Sequence, residues 1–355
     1  MIRRFNISLI LVPAIVFLFG FVTLLSTSPS LIRSHTLMFM LGEIAFVVFA
    51  SIDYSIYKYI WKYIYFLGAL LLFITDLFAE FRFGAARWLE LGSLSIQTSE
   101  LAKIALIFAL SAYLVEQRKR LNEPRNLFVL GGMVCLYIIL VFTQPDLGTS
   151  VVLFLTAVGL VFYAGLNRAY ILTGLFIVGI FSAPLWRILK DYQKDRILVF
   201  LNPQLDVLGS GYNVMQSLIA IGSGGFWGKG FGQGTQANLQ FLPAYWTDFI
   251  FASFAEEWGF AGVGIFITIF TLLLFMLLSL AHSCQDEFGK LVCLGIFLVF
   301  FTQFTINVGM NLGVLPVTGV TLPLVSYGGS SMIVSMAMLG VAYNVWSKQV
   351  RGKFI

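Results

Sequence analysis

The chain has 355 residues, of which 59% are hydrophobic and only 11% charged, with a mean hydropathy of +0.91 and a formal net charge of +5. A soluble globular chain carries about 25% charged residues, so a water-soluble fold is excluded. Three cysteines without paired spacing argue against a disulfide framework, and His35 and His282, far apart and outside any HExxH pattern, argue against a zinc or haem centre.

A membrane span needs about 20 mainly apolar residues. By that rule helices are expected near 7–26, 36–52, 59–78, 101–115, 127–142, 150–165, 171–189, 249–279, 291–308 and 331–345. Met1-Ile2-Arg3-Arg4 precedes an apolar run longer than that of a signal peptide and lacks a small-residue cleavage site, so the first span is expected to be retained. The fold class is therefore all-α: a polytopic membrane protein of about ten transmembrane helices, forming a single transmembrane domain over residues 1–355. Lys58, Lys62, Arg118, Lys119, Arg120, Arg125, Arg168, Lys290 and the tail residues Lys348, Arg351 and Lys353 fall on one side if both termini are cytoplasmic, as the positive-inside rule requires. The connection 190–247, before the eighth span, is far longer than the others and rich in glycine. It is expected outside the membrane as a folded loop that partly touches the bilayer.

Along the chain, Arg87-Trp88 reads as an interfacial anchor, and Glu100 with Lys103 shares one helix face and reads as a neutralising pair. Gln144-Pro145-Asp146-Leu147-Gly148-Thr149 reads as an outside turn. The stretch Gly222-Ser223-Gly224-Gly225-Phe226-Trp227-Gly228-Lys229-Gly230 departs from a Walker pattern at Ser223 and Gly230, which rejects an ATP site. It is left as either a tight turn or a backbone-amide and Lys229 site for an anion. Asp248 stands at the start of a long apolar helix, as its cap or as a functional carboxylate able to abstract a proton. In either role the helix N-terminus would favour its ionised form. Glu256 and Glu257, further along that helix, must face protein or water, with pairing to a lysine or arginine favoured.

The outside segments together resemble the SEDS family (shape, elongation, division and sporulation). The longest likeness runs through Asn307-Val308-Gly309-Met310-Asn311-Leu312-Gly313-Val314-Leu315-Pro316, Gly319, Leu322-Pro323 and Ser326-Tyr327-Gly328-Gly329-Ser330. Earlier blocks are Gly84-Ala85-Ala86-Arg87-Trp88, Gln97 with Ser99-Glu100, and Gln144 to Thr149. Gly228-Lys229-Gly230, Gly234-Thr235-Gln236 and Leu239-Gln240-Phe241-Leu242-Pro243 look like the elongation branch, RodA, more than the division branch, FtsW. Two departures stand out: Thr98 where the family usually has proline, and Ala244-Tyr245-Trp246 in place of a common Glu-x-His before Thr247-Asp248.

The resemblance implies a peptidoglycan glycosyltransferase of the bacterial cytoplasmic (inner) membrane, with both termini cytoplasmic and the active site on the outer face. It would polymerise lipid II into β-1,4 glycan strands during elongation, releasing undecaprenyl diphosphate. The family's essential aspartate matches Asp248. Arg87, Glu100, Lys103, Arg196 and Lys229 are the expected substrate contacts. Expected partners are lipid II, a class B penicillin-binding protein and other membrane proteins of the elongation complex, but no nucleic acid. No protein metal site and no organic cofactor are implied, and a divalent cation is left open. The alternative is a lipid II flippase, which would be expected to carry coupling charges or broken helices at the bilayer midplane.

Overall fold

The computed structural model describes residues 5–79, 87–91, 94–167, 191–202, 206 and 209–352, with scattered positions between 169 and 187. Its long helices are α1 (Phe5–Thr27), α2 (Ile32–Ser51), α3 (Tyr54–Phe78), α4 (Thr98–Glu116), α5 (Pro124–Thr143) and α6 (Leu147–Tyr163). After α7 (Asp191–Leu201), α8 (Ser210–Ser223) and α9 (Thr235–Asn238) come α10 (Ile250–Ser283), α11 (Glu287–Asn311) and α12 (Gly329–Gly352). A hairpin of β1 (Trp88–Leu91) and β2 (Leu94–Gln97) leads into α4. Nine of the ten expected spans are thus helices. The seventh, at 171–189, lies largely outside the described residues.

Among the described residues, seven helices are long and apolar enough to cross a membrane: those containing α1 to α5, α10 and α11. Helix α6 is apolar but shorter. Helix α4 lies at the centre, buried on nearly every side and packed against α3, α6 and α11. Helix α2 is peripheral. It packs along α12 and turns Leu37, Met40, Leu41, Ile44, Val47 and Val48 outward, as a helix bathed in lipid must.

The ends of the bundle differ in chemistry. At one end Trp61 Nε1 donates to Glu116 Oε1 (2.9 Å), Arg118 pairs with Glu287 (2.9 Å), and Lys348 pairs with Asp53. The chain directions of α3 and α4 place Arg87, Gln97 and Ser99 at the other end.

The long loop is folded rather than loose. Its helix α8 packs on α10, and its glycine stretch is spliced into α10 where that helix breaks at Gly259 (φ 61°, ψ −167°). In an unbroken helix Phe260 N and Ala261 N would donate to the carbonyls of Glu256 and Glu257. Here those carbonyls accept instead from Lys229 N and Gly230 N (3.0 Å each). Phe260 N and Ala261 N donate to Gly225 O (2.9 Å) and Phe226 O (3.0 Å). These two donors and two acceptors, freed by the break, are thus matched, as burial demands. The splice depends on close approach: a methyl at Gly228, whose φ is +83°, would stand 2.1 Å from Glu257 O.

Gly228→Ala should therefore destabilise the folded protein by about 2 kcal/mol or more. Gly264→Ala, in a helix with nothing within 4 Å of the added methyl, should be neutral or slightly stabilising. Thermal unfolding of the two purified variants in detergent checks the contrast; equal melting temperatures would refute the splice.

Candidate active site

Asp248 lies in the turn that precedes α10, half-buried. The helix is capped at Phe249 without any side-chain bond, so the Asp248 carboxylate does not cap it. The backbone of the turn is held by the segment 307–330. Ser326 Oγ donates to Thr247 O (2.7 Å), Tyr327 N to Trp246 O (2.9 Å), and the Nδ2 groups of Asn307 and Asn311 each donate to Asp248 O (3.0 Å). The Ala244-Tyr245-Trp246 stretch is structural here. Tyr245 is buried, Ala244 O accepts from Thr247 N and Phe249 N, and the Tyr245 and Trp246 rings meet edge to face at 4.6 Å.

Two arginines act on the carboxylate. Arg87, between the end of α3 and β1, donates from Nη2 to Pro145 O (2.7 Å), and its Nη1 lies 3.6 Å from Asp146 Oδ1. Arg196, on α7, donates from Nη1 to Thr318 O (3.2 Å). Gly319 stands between the groups: a methyl there would sit 3.5 Å from Asp248 Oδ2 and 4.0 Å from Arg87 Nη1.

Burial pushes the Asp248 carboxyl above its ordinary range. The neighbouring charge of Asp146 adds to that push, while Arg87 and Arg196 oppose it. The expectation that helix amides hold this group ionised is corrected here: the carboxylate makes no cap bond to those amides, and desolvation outweighs the opposing charges of Arg87 and Arg196.

Asp146 is the residue that reading the sequence as a turn missed. It is 1% exposed, caps α6 through Thr149 N (3.1 Å), and accepts from Thr149 Oγ1 (2.9 Å), Ser99 Oγ (3.1 Å) and Gln97 Nε2 (3.2 Å). Saturated in this way, it fixes the guanidinium of Arg87 and is poorly placed to serve as a second acid. An aspartate three residues before a threonine at a helix start was the available signal. Two buried polar atoms at the site, Arg87 Nε and Thr318 Oγ1, have no hydrogen-bond partner among the described residues.

The other sequence candidates lie elsewhere. Lys103 and Glu100 form a buried ion pair (2.7 Å) inside α4, their side chains 1% and 5% exposed. Thr98, which replaces the usual proline at the start of α4, shares a hydrogen bond with Thr75 (2.7 Å). Lys229 is bound to Glu256 (2.6 Å) and Thr235 (3.0 Å). The glycine loop does seat an anion, but that anion is Glu256, whose carboxylate accepts from Thr235 N (2.8 Å), Thr235 Oγ1 (2.9 Å) and Gln236 N (3.0 Å). Glu257 is held by Ser26 Oγ and Gly232 N. Among the described residues no group of three or more His, Cys, Asp or Glu is gathered as a metal site.

Residues 5–351 match the family FTSW_RODA_SPOVE, described as cell cycle protein. The chain is 40% identical over 308 residues to the peptidoglycan glycosyltransferase MrdB of Escherichia coli K12, covering 86% of this chain and 82% of that one. It is 36% identical over 315 residues to the stage V sporulation protein E of Bacillus subtilis, covering 86% and 84%. Among solved structures, a peptidoglycan synthase complex described as coordinating polymerization and crosslinking contains a chain that superposes with TM-score 0.83 at 30% identity, over 96% of this chain and 97% of that one. The rod shape determining protein RodA of Thermus thermophilus superposes with TM-score 0.73 at 28% identity, over 96% of each chain.

The Asp248 carboxyl should titrate above the ordinary aspartate value of about 3.9. Arg87→Gln, by removing the larger opposing charge, should raise it further. Infrared difference spectra of wild type against Asp248→Asn, recorded across pH, read the protonated carboxyl band directly. A band that disappears at or below the ordinary value would contradict the site described.

Proposed function

The chain belongs to the FtsW/RodA/SpoVE family, and from that premise we propose that Asp248 is the general base with which it polymerises lipid II at the outer face of the bacterial cytoplasmic membrane. It is a peptidoglycan glycosyltransferase of the RodA type, a multi-pass membrane protein that works with a class B penicillin-binding protein. The carrying observation is the Asp248 carboxyl, raised by desolvation, set across Gly319 from Arg87 and acted on by the charges of Arg87, Arg196 and Asp146.

In this reading a sugar 4-hydroxyl of the acceptor attacks the anomeric carbon of the diphosphate-linked donor. Asp248 takes the hydroxyl proton as the new carbon–oxygen bond forms, and the bond to diphosphate oxygen breaks with inversion, giving a β-1,4 link. A carboxyl raised towards working pH is a better base for a weakly acidic hydroxyl than an ordinary one, provided it remains ionised. No second carboxyl acid is needed, since diphosphate leaves readily once cations neutralise its growing charge. Arg87 and Arg196 are the residues placed for that task, with Arg87 Nε and Thr318 Oγ1 as additional donors. Glu100, Lys103 and Lys229, committed to internal ion pairs, support the scaffold in this reading instead of touching the donor.

The sidedness proposed has both termini in the cytoplasm and Asp248 outside. What supports it is the gathering of Arg118, Lys290 and Lys348 at the end of the bundle opposite Arg87 and Ser99.

The purified protein, with its transpeptidase partner where required, should convert lipid II into a ladder of muramidase-sensitive glycan polymer. Movement of lipid II across vesicle membranes with no polymer formed would favour the flippase instead. In intact cells, an impermeant maleimide should label a cysteine at position 240 and spare one at the C-terminus.

A further inference from the structure

Helix α10 starts at Ile250 after its N-cap Phe249, and one of the backbone N–H groups that its first turn leaves unmatched is met by a side chain. In a regular helix Ala252 N would donate to Asp248 O, four residues back. Here Ala252 N donates to Asn311 Oδ1 (3.1 Å), and Asn311 Nδ2 donates to Asp248 O (3.0 Å). The carboxamide of Asn311, which carries one donor face and one acceptor like a peptide unit, is inserted between the two backbone groups that would otherwise meet. Its orientation is set by the network, because the flipped amide would oppose N–H to N–H at Ala252.

The wedge is itself braced. Asn311 is fully buried at the end of α11. Its Nδ2 also donates to Asn307 O (2.8 Å), and its backbone carbonyl accepts from Ser217 Oγ of α8 (2.8 Å). Asn307, equally buried, donates to both Asp248 O (3.0 Å) and Val320 O (2.8 Å). Two amides on one helix face, one turn apart, therefore fix the carbonyl of the residue whose carboxylate faces Arg87 and Arg196.

We propose that Asn311 is a positioning residue for the transfer reaction, a wedge that stops α10 from winding back through Asp248 and so keeps the carboxylate on the arginines instead of on the helix amides. Without the wedge, Ala252 N and Asp248 O are free to bond to each other. Asp248 then enters the helical N-terminus, where its side chain finds exposed amides and takes up the cap role that Asp residues prefer. The carboxylate would leave the arginines, and the amides would lower its proton affinity.

This proposal rests on Asp248 acting as the base, and its test separates the two ideas. Asn311→Leu keeps the side-chain bulk but neither hydrogen-bonding group, while Asn311→Gln keeps both groups on a longer stem. Compared with active wild type, the leucine variant should lose about 10- to 100-fold in kcat, the scale of a misplaced catalytic group. It should hold donor affinity within about twofold, and the acidic limb of its residual pH–rate profile should move to lower pH as amide bonds replace burial. The glutamine variant should recover part of both changes. A folded leucine variant with wild-type kcat, or one that loses kcat while its acidic limb stays in place, would overturn the proposal and leave Asn311 a packing residue. If the leucine variant does not fold, the glutamine variant decides alone: a lowered kcat with a shifted limb supports the wedge, and an unmoved limb refutes it. Wild type that makes no polymer would instead refute the functional reading beneath it.

Discussion

The carbonyl of Asp248 accepts from Asn307 and Asn311 at 3.0 Å each, and the geometry of the site depends on that grip. It holds the backbone one residue before the helix is capped, with the carboxylate across Gly319 from Arg87 and under the opposing charges of Arg87 and Arg196. The arginines are in turn held from behind: Arg87 by Asp146 and Pro145 O, Arg196 by Thr318 O. A lone carboxylate buried among apolar helices would simply stay protonated. The two guanidinium groups offset part of the cost of desolvation, leaving a carboxyl that is raised but placed among cations.

Helix α10 is broken at Gly259 and starts just after Asp248, and at both places backbone groups are matched from outside the helix. At Gly259 the glycine loop supplies two amides and two carbonyls to the split ladder; at Asp248 a single carboxamide does so. Non-helical backbone at membrane depth persists only where protein matches its polar groups, and the two glutamates beside Gly259 show the same rule for side chains. Glu256 is sealed by Lys229, Thr235 and Gln236, and Glu257 is held by Ser26 and Gly232. These contacts tie the long loop and α1 to α10, and they keep α8, which braces Asn311, against the helix that follows Asp248.

Hydropathy made most of the fold legible, because a bilayer span is a long apolar run and little else can hide one. It placed helix ends too far inward where polar residues take part. Helix α4 begins at Thr98 instead of near 101, since Thr98 and Ser99 hydrogen-bond to Thr75 and Asp146, and α11 extends to Asn311 because its asparagines turn inward. Asp248 was legible as a carboxylate at a helix start and through the family likeness, but its two readings, cap or base, differ only in which way a side chain points. The Asp146 cap could be read from Thr149 three residues on, but its hold on Arg87 and the roles of Asn307 and Asn311 were not legible, because each acts through a contact far along the chain. Lys229 was misleading in the opposite sense: a lysine in a glycine loop signals an anion, and the anion is the protein's own Glu256.

The account turns on Asp248 being a base that neither caps a helix nor holds the fold together. Asparagine is nearly isosteric and leaves the Asp248 backbone carbonyl in place for Asn307 and Asn311, so Asp248→Asn should fold and bind lipid II as wild type does. The direct measurement is single-turnover polymerisation of bound lipid II by the purified variant beside wild type. The expected result is a rate lower by a factor of about 10² to 10⁴ with donor affinity retained. Polymer formed at the wild-type rate would contradict the assignment and return Asp248 to a structural role.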